Sequence, residues 1–217
     1  KKDWSIRCSH GSPAKFIPFK EDQQLTPTNS YGLSKEAAEK ISLRLGKTYG
    51  VPATCLRYSI VQGDRQSPYN LYSGALRIFI SQTILGVPLS VYEDGLQSRD
   101  FIDINDIVSA NLLVLKNPKT NFEVFNIGSG QAYKVLDFAK LVKKITHSDS
   151  KINLGSFRRT DTRHAVSNIS KIKKLGWRPR FSTTDSIHKY ITWFKKEKFD
   201  QKLKTQDFIT FKKGLPL

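Results

Sequence analysis

Apolar positions along the chain fall into two spacings that alternate from end to end. The opening "KKDWSIRCSHGSPAKFIPFKEDQQLTP" has neither spacing and holds three prolines, Pro13, Pro18 and Pro27, so it reads as an irregular loop. Ala37, Ala38, Ile41 and Leu45 then keep helical spacing. Asn29 or Ser30 can cap that helix and "YGVP" ends it. "ATCLRYSIV" is β-branched and apolar enough for a buried strand, and "QGDRQSPYNLYSG" is a loop. "ALRIFISQTILG" predicts a helix closed by Gly86. "PLSVYEDG" predicts a short strand running into an Asp-Gly turn, and "QSRDFIDI" another strand. "NDIVSANLLVLKN" predicts a helix capped by Asn105 or Asp106, with Pro118 just beyond. "FEVFNIGSG" predicts a strand into a glycine turn. An amphipathic helix "KVLDFAKLVKKIT", a strand "KINLGSF", a short helix "ISKIKKLGW" and a last helix "SIHKYITWFKKEKF" with an aromatic face complete the order. Strands and helices alternate, so the fold class is α/β.

Composition narrows this little. At 38% hydrophobic and 25% charged residues the chain is that of a folded soluble protein, not a disordered one. No apolar run reaches membrane-spanning length, because "LRIFISQTILGVPL" is broken by polar residues and Pro88. No secretory leader pattern opens the chain. Two cysteines, Cys8 and Cys55, suit a reducing compartment, so a cytoplasmic location is expected. With no Met in 217 residues, the chain is expected to be an internal piece of a longer protein.

The net charge of +17 raises the question of nucleic acid. The basic residues form short clusters, "KLVKK", "FRRTDTRH", "SKIKKLGWRPR" and "FKKEKF", with no groove-reading motif beside them. A lysine-rich surface with a site for a diphosphate is the expected source of the charge. "CSH" at Cys8 and His10 offers two ligand types one residue apart with only distant partners, so no metal site is expected.

The chemistry-bearing feature is "SYGLSK". Tyr31 and Lys35 stand four apart and share one helix face. A free phenol, with a pKa near ~10, is a poor base at neutral pH. An ammonium a few ångströms away favours the phenolate. A Tyr so paired can take the proton of a sugar hydroxyl while a hydride leaves the same carbon. The spacing alone is shared by many exposed helix turns.

The order "YGLSKEAAEK", "YGVPATCLRYSIVQGDRQ", "EDGLQSRDFIDINDIVSA", "FNIGSG", "FRRTDTRH" and "SKIKKLGWRPR" resembles the extended short-chain dehydrogenase/reductase family, in its branch of nucleotide-sugar epimerases and dehydratases. The resemblance runs from about Trp4 to the C-terminus. The loop before Tyr31 and "YNLYSGALRIF" look most like 4-epimerases of nucleotide-linked hexoses and deoxyhexoses. The resemblance implies a Rossmann-type domain that holds NAD, and a smaller α/β domain that holds a nucleotide-diphosphate sugar. Residues 1–66 are then the C-terminal portion of the NAD-binding domain. Residues 67–217 are mainly the substrate domain, with a strand near 122–128 returning to the first.

Residue by residue, Tyr31 matches the catalytic base of that family. Lys35 matches the lysine that holds the nicotinamide ribose and favours the phenolate. Tyr58 and Ser59 lie where a strand meets the nicotinamide end of NAD. Arg99 matches an arginine that grips the substrate diphosphate, with Asp100 placed to orient it. Arg158 matches a second such arginine, Asp161 a contact to the nucleotide ribose, and Arg163 a further basic residue of the substrate site. His164 and "FNIGSG" are expected to be structural. The implied reaction is 4-epimerisation through a transient 4-keto sugar, a step of nucleotide-sugar metabolism that supplies polysaccharide biosynthesis. The alternatives are a 4,6-dehydratase or keto-reductase of the same family, or a non-catalytic nucleotide-sugar-binding remnant. A homodimer, with the Tyr-Lys helix in a four-helix bundle, is implied as well.

Several departures stand beside the resemblance. No G-x-x-G-x-x-G is present, so the glycine-rich N-terminal half of the cofactor domain is expected to be absent from this chain. The catalytic Ser or Thr of the family has no counterpart in the opening loop. Ser59-Ile60 replace a common Phe-Asn, and Asp64 replaces a common Pro. Half a parallel sheet is expected to leave an apolar face and a strand edge uncovered.

Overall fold

A computed structural model of the protein describes residues 4–69, 74–155 and 162–201. Helix α1 (Ser30–Tyr49) leads into β1 (Cys55–Tyr58) and β2 (Ile60–Gln62), then α2 (Ala75–Ile84) and β3 (Leu89–Val91). β4 (Ser98–Arg99) and β5 (Phe101–Asp103) precede α3 (Ile104–Leu115) and β6 (Val124–Ile127). β7 (Tyr133–Lys134), α4 (Val135–Ile145), β8 (Ile152–Leu154), β9 (His164–Ala165), α5 (Ser170–Lys173) and α6 (Thr183–Lys196) follow.

The Asn29 side chain caps α1 by accepting from the Gly32 N–H at 2.8 Å. Such a cap contributes about 1 kcal/mol. Gly50 ends the helix in the left-handed region, at φ +67°. Gly46 lets the chain fold back, since a Cβ there would stand 2.7 Å from the Val51 carbonyl oxygen. The return brings β1 beneath α1. There Arg57 grips Glu39 with two charge-assisted hydrogen bonds, Nε to Oε2 at 2.8 Å and Nη2 to Oε1 at 2.7 Å.

Two stretches that read as single strands are each split. "ATCLRYSIV" breaks at Ser59 and "QSRDFIDI" at Asp100. The cause is a change of partner. β1 pairs in parallel with β6, Tyr58 opposite Ile127, and β2 pairs in parallel with β5, Ile60 opposite Phe101. Ser59 N–H still donates to Ile127 O, while Ile60 N–H already donates to Asp100 O. β3 pairs in parallel with β8. β4 lies between antiparallel β7 and parallel β9. The two-residue strands β7 and β9 are too short to carry a period that sequence could reveal.

Phe101 and Ile102, adjacent on β5, point to opposite faces. Phe101 enters a core built from α2, β3, α4 and α6, with Phe79, Ile80, Phe138, Ile187, Tyr190 and Phe194. Ile102 enters a second core with Ile107, Phe125, Ile127, Ile172 and Trp177, from α3, β6 and the α5 segment. Each fully buried aliphatic or aromatic side chain contributes roughly 1.5–3 kcal/mol.

Two helix starts differ from the expected ones. α3 is capped by Asp103, whose carboxylate accepts from Asn105 N–H at 2.9 Å, and not by Asn105 or Asp106. Asp106 is instead buried and accepts from the Arg180 and Phe181 N–H groups, anchoring the approach to α6. α6 begins at Thr183, earlier than its apolar period suggests, because Ser182 and Asp185 form a capping box.

Candidate functional site

Tyr31 and Lys35 occupy the first turns of α1. The Lys35 ammonium lies 5.5 Å from the centre of the Tyr31 ring, and Tyr31 is 58% exposed. Pro27 packs against the same turn: a Cβ on Gly32 would meet its Cβ at 2.9 Å. A phenol and an ammonium are therefore presented together on an open helix face, backed by a capped and braced turn.

Tyr58 ends β1, and its hydroxyl donates to Asn111 Oδ1 of α3 at 3.0 Å. Ser59 stands at the change of strand partner, with its hydroxyl 2.8 Å from that of Ser167. Next to it the Asp100 carboxylate, 1% exposed, is surrounded by donors. Oδ1 accepts from Ser129 N–H at 2.8 Å and Ser129 Oγ–H at 2.6 Å. Oδ2 accepts from Gly130 N–H at 3.2 Å and Ser167 N–H at 3.3 Å. Asp100 thus holds the "GSG" turn rather than Arg99. A carboxylate therefore fills the nest of N–H groups at this turn, which suits a structural role for it. Sequence reasoning missed this knot. Its only signal was an Asp at a strand break together with a Gly-Ser-Gly turn.

Arg99, on β4, is 9% exposed. Its Nη1 donates to the main-chain oxygens of Ser98 at 2.8 Å and Arg163 at 3.2 Å. Arg163, expected among the substrate contacts, has its fork committed elsewhere. Nη1 and Nη2 meet both oxygens of Asp94 at 2.7 and 2.8 Å, and Nη1 meets Glu93 Oε2 at 2.6 Å. The hydrogen bonds from Arg163 hold the Asp94 carboxyl below its usual range, and those to Asp94 raise Arg163 in turn. The reason is geometric: a planar guanidinium matches a carboxylate in a side-chain environment only 10% exposed. His164 stacks on Phe16 at 4.9 Å and shares a hydrogen bond with Ser98 Oγ at 3.0 Å. Burial, then the positive charges of Arg163 and Arg99, push its pKa down, against the opposing pull of Asp94.

The structure so brings together two clusters. One joins Ser59, Asp100, Gly128 and Ser167; the other joins Arg99, Arg163, His164 and Asp94. Tyr31 and Lys35 meet each other on α1. Arg158 and Asp161 lie outside the described residues. Cys8 is exposed, and among the described residues no three His, Cys, Asp or Glu side chains group as metal ligands. Among the same residues no helix is long and apolar enough to cross a membrane.

Comparison with known proteins gives this arrangement a setting. The family model "NAD dependent epimerase/dehydratase family" matches residues 7–128. A dTDP-L-rhamnose 4-epimerase of Burkholderia thailandensis is 32% identical over 84% of this chain and 51% of its own length. The crystal structure of a UDP-glucose 4-epimerase with UDP-glucose, from Thermotoga maritima, superposes with a TM-score of 0.79. It is 32% identical and covers 87% of this chain, which spans 60% of it. A UDP-glucuronic acid 4-epimerase from Bacillus cereus, solved with UDP-glucuronic acid and NAD, has a TM-score of 0.77 at 27% identity, over 88% of this chain and 60% of its own. The chain spans about half to three fifths of the length of these relatives. The α/β fold with parallel strand pairs is theirs, and the family match includes α1 with Tyr31 and Lys35, β1, and β4 to β6. This chain belongs to the NAD-dependent epimerase/dehydratase family.

Proposed function

We propose that the chain supplies the Tyr-Lys helix and the substrate-binding part of an NAD-dependent nucleotide-sugar 4-epimerase. The observation that carries this reading is the Tyr31–Lys35 pair, side by side on an exposed and capped helix turn within the matched family region. In this reading Tyr31 Oη takes the proton of the sugar 4-hydroxyl and later returns it. Lys35 Nζ, on the same helix face, holds the nicotinamide ribose. NAD supplies, when bound, a hydride acceptor and donor for C4. A phenol and an ammonium on one open face suit a ribose and a sugar hydroxyl. Tyr58 and Ser59 border the nicotinamide end through their main chain, since the Ser59 hydroxyl is already engaged by Ser167.

Arg99 and Arg158 grip the nucleotide diphosphate, and Asp161 the nucleotide ribose. Residues 1–66 belong with the cofactor domain and 67–217 with the substrate domain. The parallel pairing of β1 with β6 supports assigning the 122–128 strand to the former. The exposed Ala37, Ala38, Ile41 and Leu45 on α1 favour a homodimer through that helix. Two free cysteines favour a cytoplasmic setting.

The test is C4 epimerisation of UDP- and dTDP-hexoses by the full-length gene product. Tyr31→Phe is expected to lower kcat roughly a hundred- to ten-thousandfold with little change in substrate binding. Unchanged turnover in that variant would overturn the assignment of the base.

A further inference from the structure

We propose that Arg163 is a positioning residue for diphosphate recognition: its clamped side chain fixes the main-chain carbonyl that orients Arg99. The proposal rests on the reading of Arg99 as a diphosphate ligand.

The connections run through one residue. The Arg163 carbonyl accepts from Ser98 N–H at 3.1 Å, as part of the β4–β9 pairing, and from Arg99 Nη1 at 3.2 Å. The strand and the guanidinium that grows from it are therefore tied to one oxygen. The side chain of that same Arg163 reaches Asp94 and Glu93. Those two residues sit in a tight turn, with Glu93 at φ +54° and Gly95 at φ +72°. Asp94 Oδ1 also accepts from Leu96 N–H, and the Gly95 carbonyl accepts from Leu136 N–H at the start of α4. The result is a rigid frame that leads from α4, through the turn and Arg163, to Arg99.

Charge gives the clamp a second role. Two carboxylates so near a diphosphate site would repel the ligand. The Arg163 fork neutralises one charge and ties up three carboxylate oxygens. A lysine would keep the charge and lose the fork, because a point charge cannot grip both Asp94 oxygens and Glu93 in a fixed plane.

The experiment titrates the full-length gene product with UDP and follows the Arg99 Nε–H signal by NMR, with and without UDP. Arg163→Lys is the main variant. Asp94→Asn, which keeps Arg163 and the shape of the turn, is the second. Arg163→Lys is expected to weaken UDP binding about tenfold, and both variants are expected to loosen the Arg99 guanidinium, seen as a lower Nε–H order parameter. In the Arg99→Ala background, Arg163→Lys is expected to cost nothing further. Additive losses in the double variant, or an Arg99 signal unchanged by both variants, would overturn the proposal. UDP binding that survives Arg99→Ala intact would overturn the ligand reading instead. The Arg99 order parameter still decides the positioning role in that case, because it needs no ligand.

Discussion

Gly128 and Asp100 are in contact so close that a Cβ on Gly128 would stand 2.3 Å from Asp100 Oδ2. The same atom would stand 2.4 Å from Ser59 Oγ. Neither neighbour can swing away, since Asp100 is held by four donors and Ser59 by Ser167. Gly128→Ala is therefore expected to destabilise the protein by about 1–3 kcal/mol through overpacking. A urea titration would read this as a lower midpoint with an unchanged slope. A midpoint equal to that of the parent would show that the knot yields more easily than its hydrogen bonds imply.

His164 gives stability a pH dependence of definite sign. Its folded pKa lies below the unfolded value, first because it is partly buried and next because Arg163 and Arg99 repel a further positive charge. The unfolded chain therefore binds the proton first as pH falls. The stability this group contributes is full above about pH 6.5 and is lost as pH drops through the window between the unfolded and the lowered folded pKa. Denaturation midpoints taken through that window should fall with pH, and His164→Gln should flatten part of the slope. Equal slopes in the two proteins would rule out His164 as a source.

The two cysteines differ in surroundings. Cys8 is exposed in the opening loop, while Cys55 lies under α1, its sulfur 3.9 Å from the Glu39 carbonyl oxygen. Burial first, and the Glu39 carboxylate next, raise the Cys55 pKa against the pull of Arg57. Thiolate is the reactive form. An aromatic disulfide reagent at pH 8 should thus titrate one thiol fast and one slowly. Unfolding, or loosening the α1–β1 contact with Glu39→Gln, should speed the second. Two thiols reacting at one rate would contradict this placement of α1.

What the sequence made legible follows from how each feature is encoded. α1 is written locally, in an Asn cap, an apolar period and a terminal Gly, and it appears where those signals put it. The breaks at Ser59 and Asp100 are not local, because they record which strand lies alongside. Asp106 looked like a cap and is an anchor for Arg180 and Phe181, residues more than seventy positions away in sequence. Arg163 shows the same limit from the functional side. Its place in "FRRTDTRH" implied a basic residue of the substrate site, and only the fold reveals Glu93 and Asp94 beside its guanidinium. The capping box of α6 is written locally in "STTD", ahead of the apolar period that marks the rest of the helix.

The last prediction concerns the surface. On α1, Leu33, Ile41, Leu45 and Tyr49 are 49–73% exposed, and on α3 Val108, Leu112 and Leu115 are 50–82% exposed. The α3 positions follow one helix stripe, spaced by four and then three. Scattered exposed apolar residues are ordinary, but stripes on α1, which packs on β1, and on α3, which packs on β2 and β5, are not. Half a parallel sheet was expected to leave such a face, and this chain spans about three fifths of the solved relatives. The isolated chain is therefore expected to self-associate and to bind a hydrophobic dye in its folded state. Sedimentation velocity across a concentration series would detect the association. Ile41→Glu with Leu45→Glu should weaken it if α1 is the contact, and Leu112→Glu with Leu115→Glu if α3 is. A monomer at all concentrations that leaves the dye dark would mean that these stripes need no cover.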